Sequence, residues 1–403
     1  MGDPRPVEDH RDAVRGAVRP LTPVRVPLLE AVGRRVVEDV VAPRDLPAFD
    51  HSAMDGFAVR AAEVASARAD RPTELPVSAL VPAGTPGGTL TPGAAVRIMT
   101  GAPLPEGADA VVPFELTDRG ADVVAVRAGV AAGEHVRRRG EDVEAGAVVV
   151  HAGEVLRPAR VGLLAAVGVR EVLVRPLPRV ALVVTGAELL GDAGEAGVVE
   201  SNSTLLAAAV GSGSAGTVAS VEVVGDEPAA FRAALDRAVA AADLVVTTGG
   251  ISVGDRDVVR GTLHAEPDFW FGPVAMKPGR PQGHGVVRTH AGREVPVVTL
   301  PGTPVAAYCS FLLFARQALA ALAGEAPARS SLRSASDLEL GARTVLLPGV
   351  VDDEGAVVPL PGHVGHAQSL LAQAEVLIVV PPGEGSLPAG GDVEVLWCEE
   401  ATR

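Results

Sequence analysis

Between Asp243 and Gly285 the chain concentrates residue types that handle phosphate and a hard cation. The apolar run Leu244 to Val246 has the length of a buried strand. It breaks into Thr247, Thr248, Gly249 and Gly250, and Ser252, Gly254, Asp255 and Asp257 follow. Glycines after a strand let backbone N–H groups approach an anion. The aspartates are the oxygen donors that hydrated Mg2+ takes beside a phosphate. Further on stands Lys277-Pro278-Gly279-Arg280-Pro281, a stiff cationic turn. Lys277 is the only lysine among 35 basic residues, which points to a position where a compact ammonium is needed rather than a planar fork. Asn202 is likewise the only asparagine, set in Glu200-Ser201-Asn202-Ser203.

A second cluster is Asp50-His51-Ser52-Ala53-Met54-Asp55-Gly56, with two carboxylates, a hydroxyl and an imidazole beside Met54, Phe57 and Val59. An aspartate capping an exposed turn is the plain alternative; the density of polar groups favours a site. Thr100 sits in a Thr-Gly-Ala-Pro turn and alone reads as a turn residue. Arg137, Arg138 and Arg139 offer an anion three guanidinium groups, but Glu141, Asp142 and Glu144 follow at once and favour pairing with them. His363 and His366 have metal-pair spacing; with Gly362 and Gly365 beside them and no carboxylate or cysteine near, they read as polar surface residues.

The elements that must position these groups are legible from periodicity and punctuation. Residues 7–19 read as a short helix, 27–36 as helical or mixed, and 42–60 as too proline-rich and polar at the start for regular structure. From about 75 to 139, short apolar segments separated by glycine and proline read as a β-domain. Residues 158–169 form a short helix and Pro176 and Pro178 mark a linker. Residues 179–323 alternate: strands at 179–186, 218–226, 243–250 and 294–302, and helices at 201–211, 227–242 and from about 304. Repeated β–α units imply a parallel sheet with helices on both faces, whose ligands lie beyond the carboxyl ends of the strands. Glu188, Asp226, Thr247 to Asp257 and Gly302-Thr303 all fall at those ends. Each carboxylate taken singly also suits a helix start; together with the glycine loop and the lone lysine they favour a site. No P-loop occurs. From about 328 the pattern returns to strands and turns, a small β-domain or barrel.

Composition sets the outer limits. With 403 residues the chain is expected to hold two to four domains. Aromatics make up only 3% against 47% apolar residues, so the cores must be built from Val, Leu and Ala. No unbroken apolar run of membrane-spanning length and no signal peptide is read. A net charge of −15 argues against nucleic acid or an anionic membrane as partner. Cys309 and Cys398 lie in no metal-ligand spacing and suit a reducing cytoplasm.

Eight ordered motifs resemble the MoeA family of molybdopterin molybdenumtransferases, related to the E domain of gephyrin: residues 50–58, 97–112, 139–146, 183–189, 200–206, 247–257, 269–281 and 300–307. The resemblance implies a multidomain α/β plus β chain. Residues 1–26 and 140–177 would form a discontinuous linking domain, 27–139 an inserted β-domain, 178–327 a central α/β domain similar to the MogA fold, and 328–403 a C-terminal β-barrel-like domain. It implies insertion of molybdate into adenylylated molybdopterin, with Mg2+-dependent release of AMP. It further implies a homodimer with a composite cleft and a MogA-like adenylyltransferase as partner. By matching motifs, Asp55 and Thr100 would come from one subunit, and Glu188, Asp226, Asp257 and Lys277 from the other. Glu188, Asp226 and Asp257 would hold the metal. Ser52, Thr185, Ser201, Asn202, Gly249, Gly250, Ser252, Gly254, Arg280, Pro301 and Gly302 would contact substrate. The chain departs from the family pattern at His51, Glu200, Arg280 and Thr303. Arg280 stands where a second lysine is usual and adds bulk where anions pass. A scaffold that has kept the fold and a tungstate-inserting enzyme are the competing readings. The full set of carboxylates at the strand ends favours an enzyme over a passive binder.

Overall fold

A computed structural model describes residues 3–186, 189, 199–212, 216–251, 257–289, 291–326, 329–362 and 366–398. The chain divides into two compact units: residues 24–174, and residues 1–23 together with 175–403. The second unit opens with helix α1 (Val7–Gly16), whose Val7, His10, Arg11 and Val14 are buried at helical spacing.

In residues 24–174, strand β1 (Val24–Pro27) leads away from α1. Next come β2 (Gly56–Val59), β3 (Thr73–Val81), β4 (Ala95–Ile98), β5 (Ala110–Pro113) and β6 (Val123–Val126), the sheet expected from the glycine-punctuated apolar segments. The five-stranded order is β5-β2-β4-β3-β6, with only the β3–β4 pair parallel. Gly56 is required in β2, because a Cβ there would lie 2.1 Å from the Val112 carbonyl oxygen. Helix α2 (Pro158–Ala166) and β7 (Glu171–Val174) end the unit, and β7 pairs antiparallel with β1. Val26, Leu28, Ala31 and Val36 share one core with Val150, Leu156, Leu164 and Val172. The expected helical or mixed stretch 27–36 is a single turn, closed by Gly33 at φ 79° and followed by bridges at Arg35 and Val36.

The other unit is built on a six-stranded sheet. Its elements are β8 (Arg179–Thr185), α3 (Asn202–Gly211), β9 (Thr217–Val224), α4 (Pro228–Ala241), β10 (Leu244–Thr248) and α5 (Val258–Leu263), then β11 (Trp270–Pro273), β12 (Met276–Lys277), β13 (Pro281–Arg288) and β14 (Glu294–Leu300). The order is β9-β8-β10-β14-β13-β11, with β12 outside this sheet. The first four strands are parallel, and period 2 splits β8 between two cores. Val180 and Leu182 face α3 and the long helix α6 (Pro304–Leu322), while Ala181 and Val183 face Phe231 and Leu235 of α4 and Val259 of α5. Each fully buried Leu or Phe on these faces contributes about 1.5–3 kcal/mol by transfer from water.

The sheet is not parallel throughout. β13 runs antiparallel to β14 and β11 antiparallel to β13. The hairpin turn, with Gly292 at φ 79° and Thr289 N–H donating to the Arg293 carbonyl, returns the chain without a crossover helix. Among the described residues α6 is the one helix long and apolar enough to cross a membrane, yet 83% of its apolar window is buried inside the protein. The core it joins includes Val7, Val14 and Val18 from the N-terminal segment. The resemblance places α1 with residues 140–177; here it packs against α6 within the unit of residues 1–23 and 175–403.

The tail forms a separate sheet from β15 (Ser330–Arg333), β16 (Thr344–Val351), β17 (Val357–Pro359), β18 (Val376–Val380) and β19 (Asp392–Trp397). Its order is β12-β16-β18-β19-β15, with β17 also on β16. Lys277 therefore lies on an edge strand of the tail sheet, paired with Val345.

Candidate functional site

Register aligns the ends of the parallel strands. Thr185 lies opposite Val224, Val184 opposite Thr248, and Thr248 opposite Leu300. The chain leaves the sheet along one edge, at Gly186, Asp226, Gly249 and Pro301. There a cavity of about 600 Å3 opens, lined by these residues and by Thr185, Glu200, Ser201, Asn202, Gly250, Asp257, Gly302 and Thr303. Pro278, Gly279 and Pro281 of the cationic turn line it too, with Leu189, Val199 and Ile251 as its apolar part. This is the carboxyl edge where ligands bind in α/β sheets.

Asn202 is the link that sequence could not supply. It is 6% exposed at the first position of α3. Its Nδ2 donates to the Gly302 carbonyl at 2.6 Å and to Thr248 Oγ1 at 3.1 Å. Thr248 Oγ1 in turn donates to the Pro301 carbonyl at 2.8 Å. One amide thus joins the start of α3, the end of β10 and the turn before α6. Glu200 holds the same helix start from the other side, accepting from the Ser203 N–H and hydroxyl.

The glycine pair has a structural cause. Gly249 has φ 90°, and a Cβ there would stand 2.4 Å from the Thr185 carbonyl oxygen. Gly250 has φ 60° and meets Thr185 Oγ1 and the Val259 N–H. The glycines let β10 turn against the end of β8, and Gly249, Gly250 and Ile251 line the cavity. Ser252, Gly254, Asp255 and Glu188, all singled out from the sequence, lie outside the described residues, as does His363.

The cavity mixes two kinds of electrostatics. The N-termini of α3 and α6 abut it, bringing positive helix-dipole ends that favour anions. Asp226 and Asp257 bring carboxylates. Among the described residues no three His, Cys, Asp or Glu side chains gather closely enough to hold a metal by themselves. Mg2+ takes one or two protein carboxylates and keeps its waters, so this pair fits it. Lys277 and Arg280 are exposed and stand beside the lining residues Pro278, Gly279 and Pro281 rather than among them.

Residues 24–174 carry the second set. Thr100 donates to Asp55 Oδ1 from both its N–H and its hydroxyl, each at 2.7 Å. The backbone bond first, and then the side-chain bond, hold the Asp55 carboxyl below the usual carboxylate range. Both residues are exposed. Ser52 is fully buried, its hydroxyl exchanging hydrogen bonds with Met54. Asp50 does a different job from Asp55: it accepts from the Arg139 N–H at 2.8 Å and from Arg138 Nη1 at 2.7 Å. This corrects the expected pairing of the arginines. Arg138 and Arg139 bind Asp50 and Asp45, some ninety positions earlier, and Glu141 accepts from the Arg138 backbone.

Three family models match along the chain: the MoeA N-terminal region (domain I and II) at residues 5–168, a probable molybdopterin binding domain at 181–321, and the MoeA C-terminal region (domain IV) at 331–397. The chain is 41% identical to molybdopterin molybdenumtransferase 2 of Mycobacterium tuberculosis over 97% of its own length and 99% of that protein. It belongs to the MoeA family of molybdopterin molybdenumtransferases. A second relative, the molybdopterin molybdenumtransferase of Synechococcus elongatus, is 33% identical over 93% of this chain and 94% of that one. The crystal structure of the molybdopterin biosynthesis MoeA protein from Pyrococcus horikosii superposes with a TM-score of 0.79 at 29% identity, covering 98% of this chain and all of that one. The multidomain α/β plus β architecture is thus the MoeA fold. Glu200, Thr248 and Thr303, to which the resemblance gave no substrate contact, lie in the same MoeA motifs as the residues to which it did.

Proposed function

We propose that this MoeA-family chain inserts molybdate into adenylylated molybdopterin, releasing AMP in a Mg2+-dependent step of molybdenum cofactor biosynthesis. The observation that carries the proposal is the convergence of Asn202, Gly249, Asp226, Asp257 and the turn at Gly302 on one cavity at the carboxyl edge of the sheet. Asp226 and Asp257, with Glu188, would hold Mg2+, which when bound neutralises charge developing on phosphoanhydride oxygens. The chain's own part is to place the two anions. The N-terminal turns of α3 and α6 favour the phosphates, and Asn202 keeps those two helices in register. Lys277 and Arg280 would offer the positive charge that a tetrahedral dianion needs before it can approach an anionic dithiolene.

The domain division given by the resemblance is proposed with this function, and the β1–β7 pairing supports a linking domain made of separated segments. A homodimer is proposed in which Asp55 and Thr100 of one copy complete the cavity of the other. A MogA-like adenylyltransferase supplies the adenylylated substrate, and the setting is the cytoplasm. The test is direct. Purified protein incubated with adenylylated molybdopterin, molybdate and Mg2+ should release AMP, and release should fail when any of the three is withheld. AMP release that ignores molybdate overturns the insertion reading.

A further inference from the structure

Gln282, the second residue of β13, is 1% exposed, between Pro281 and Gly283. Its amide hydrogens go to two acceptors. Nε2 donates to the Gly279 carbonyl at 2.7 Å and to Ser310 Oγ at 2.6 Å. The orientation of the amide is decided by the Gly279 carbonyl, which can only accept. Its Oε1 is buried without a partner among the described residues, so the donor side is what the site uses. Gly279, at φ 94°, admits this closeness: a Cβ there would fall 2.9 Å from Ser310 Oγ and 3.3 Å from Gln282 Nε2.

The two groups joined by this amide belong to different elements of the cavity lining. Gly279 lies in the turn whose Pro278 and Pro281 also line it, and Ser310 is on α6, whose first residues Pro304 and Ala306 line it as well. Nothing else ties the cationic side chains down: among the described residues neither the Lys277 ammonium nor the Arg280 guanidinium makes a hydrogen bond or ion pair. Where their charge stands is therefore set by the backbone of the turn, and a site held by its supporting shell loses precision when that shell is loosened.

We infer that Gln282 is a positioning residue: its buried amide pins the Lys277–Arg280 turn to Ser310 of α6 and so fixes where the Lys277 ammonium stands relative to the cavity. The consequence for turnover rests on the reaction proposed above. The clamp itself does not, and the two are separable because Lys277 is the only lysine. Reductive methylation with labelled formaldehyde gives one dimethyl-lysine resonance besides that of the terminal amine, a direct reporter on the turn.

Gln282→Met and Ser310→Ala should each move that resonance toward the position and narrow line of a dimethyl-lysine in a short peptide, while the protein keeps a cooperative melt. In the AMP assay they should lower kcat by about tenfold to a hundredfold, as for a small misplacement of a charged group, with KM for adenylylated molybdopterin little changed. Gln282→Glu keeps the shape but sets a carboxylate against the Gly279 carbonyl. Its resonance should be displaced at about pH 8 and return toward the parental position at about pH 5.5, where a buried carboxyl takes up its proton and donates again. If Gln282→Met and Ser310→Ala both keep the parental resonance, the inference is overturned. If Gln282→Met does not fold, the Gln282→Glu comparison decides, and a parental resonance at both pH values overturns it equally. Parental protein that releases no AMP, with the resonance still displaced in the variants, sinks the reaction and leaves the clamp standing.

Discussion

Thr100 grips one oxygen of Asp55 twice, donating from its backbone N–H and from its hydroxyl at 2.7 Å each. The pair fixes an exposed carboxylate just before β2 and lowers its pKa. Thr100→Val removes the hydroxyl bond and keeps the backbone one. The Asp55 carboxyl should then titrate closer to the usual value of about 3.9. A depressed carboxyl adds stability that is present above its unfolded pKa and lost as pH falls through its folded pKa. The variant should therefore lose less stability on acidification than the parent. An NMR titration of the Asp55 carboxyl carbon checks the shift, and an unmoved pKa would show that the backbone bond alone is responsible.

Asn202 joins positions 46 and 100 residues away through one Nδ2. Asn202→Ala leaves the Gly302 carbonyl without that donor, so a loss of about 1–3 kcal/mol is expected in urea melts. Asn202→Asp should be worse at neutral pH, because a carboxylate cannot donate to Gly302 and would face its carbonyl oxygen. Equal stability of the Ala and Asp variants would mean that solvent reaches the site and relieves the repulsion.

These relationships mark the limit of what the sequence discloses. β8, β10 and β14 were legible because both faces of each are buried, giving unbroken apolar runs that end in glycine or proline. Their common edge followed from β–α alternation. The antiparallel strands β13 and β11 were missed because Gly283 and Gly285 interrupt the pattern. Those glycines are needed where Cβ atoms would strike Thr299 and the Phe271 and Phe269 rings. The partners of Asn202, Asp50 and Gln282 were out of reach for another reason. A hydrogen bond between distant residues leaves no periodic trace, and composition marked only Asn202 as unusual.

Acid sensitivity is expected from the N-terminal helix. His10 is fully buried against Trp270, His284 and Phe314, with the Arg5 guanidinium 3.6 Å from the Trp270 ring centre. Burial, then His284 and Arg5, push His10 down to about 2, and burial and Arg5 push His284 down to about 4. Unfolded histidine titrates near 6.5. As pH falls below about 6.5 the unfolded chain takes up protons that the folded one refuses, so stability falls by up to about 1.4 kcal/mol per pH unit for each histidine. The loss continues until the folded side chains protonate too. His10→Phe should flatten this dependence between about pH 6 and 4. A stability profile as steep as the parent's would assign the acid limb to other groups.

A composite site makes a prediction about mixtures. Asp55→Ala and Asp257→Ala proteins should each be inactive alone. After subunit exchange half of the dimers are hybrids, each with one intact cavity, so about a quarter of parental activity should return. Sedimentation that shows only monomer at assay concentration, or mixtures that stay inactive after proven exchange, would rule out sharing between copies.

Asp226 and Asp257 are expected to serve the ligand rather than the fold. Asp226 follows β9 and Asp257 precedes α5, and both line the cavity at the end of the sheet. Asp257 is at the N-cap of α5 and makes no side-chain cap bond there. Asn at either position keeps the shape and removes the charge that a hard cation needs. AMP release should fall by roughly two to three orders of magnitude, in line with the loss of a group that stabilises charge at the reacting phosphate. The melting temperature should change little or rise, because the change removes negative charge from a cavity that both carboxylates line. Adenylylated molybdopterin should still bind, held by the helix N-termini and the loop at Gly249. Raising the Mg2+ concentration should recover part of the rate if the lost charge acted through the metal. If Asp257→Asn melts far earlier and yet, while folded, releases AMP at the parental rate, the side chain is a structural cap and the metal must be held elsewhere.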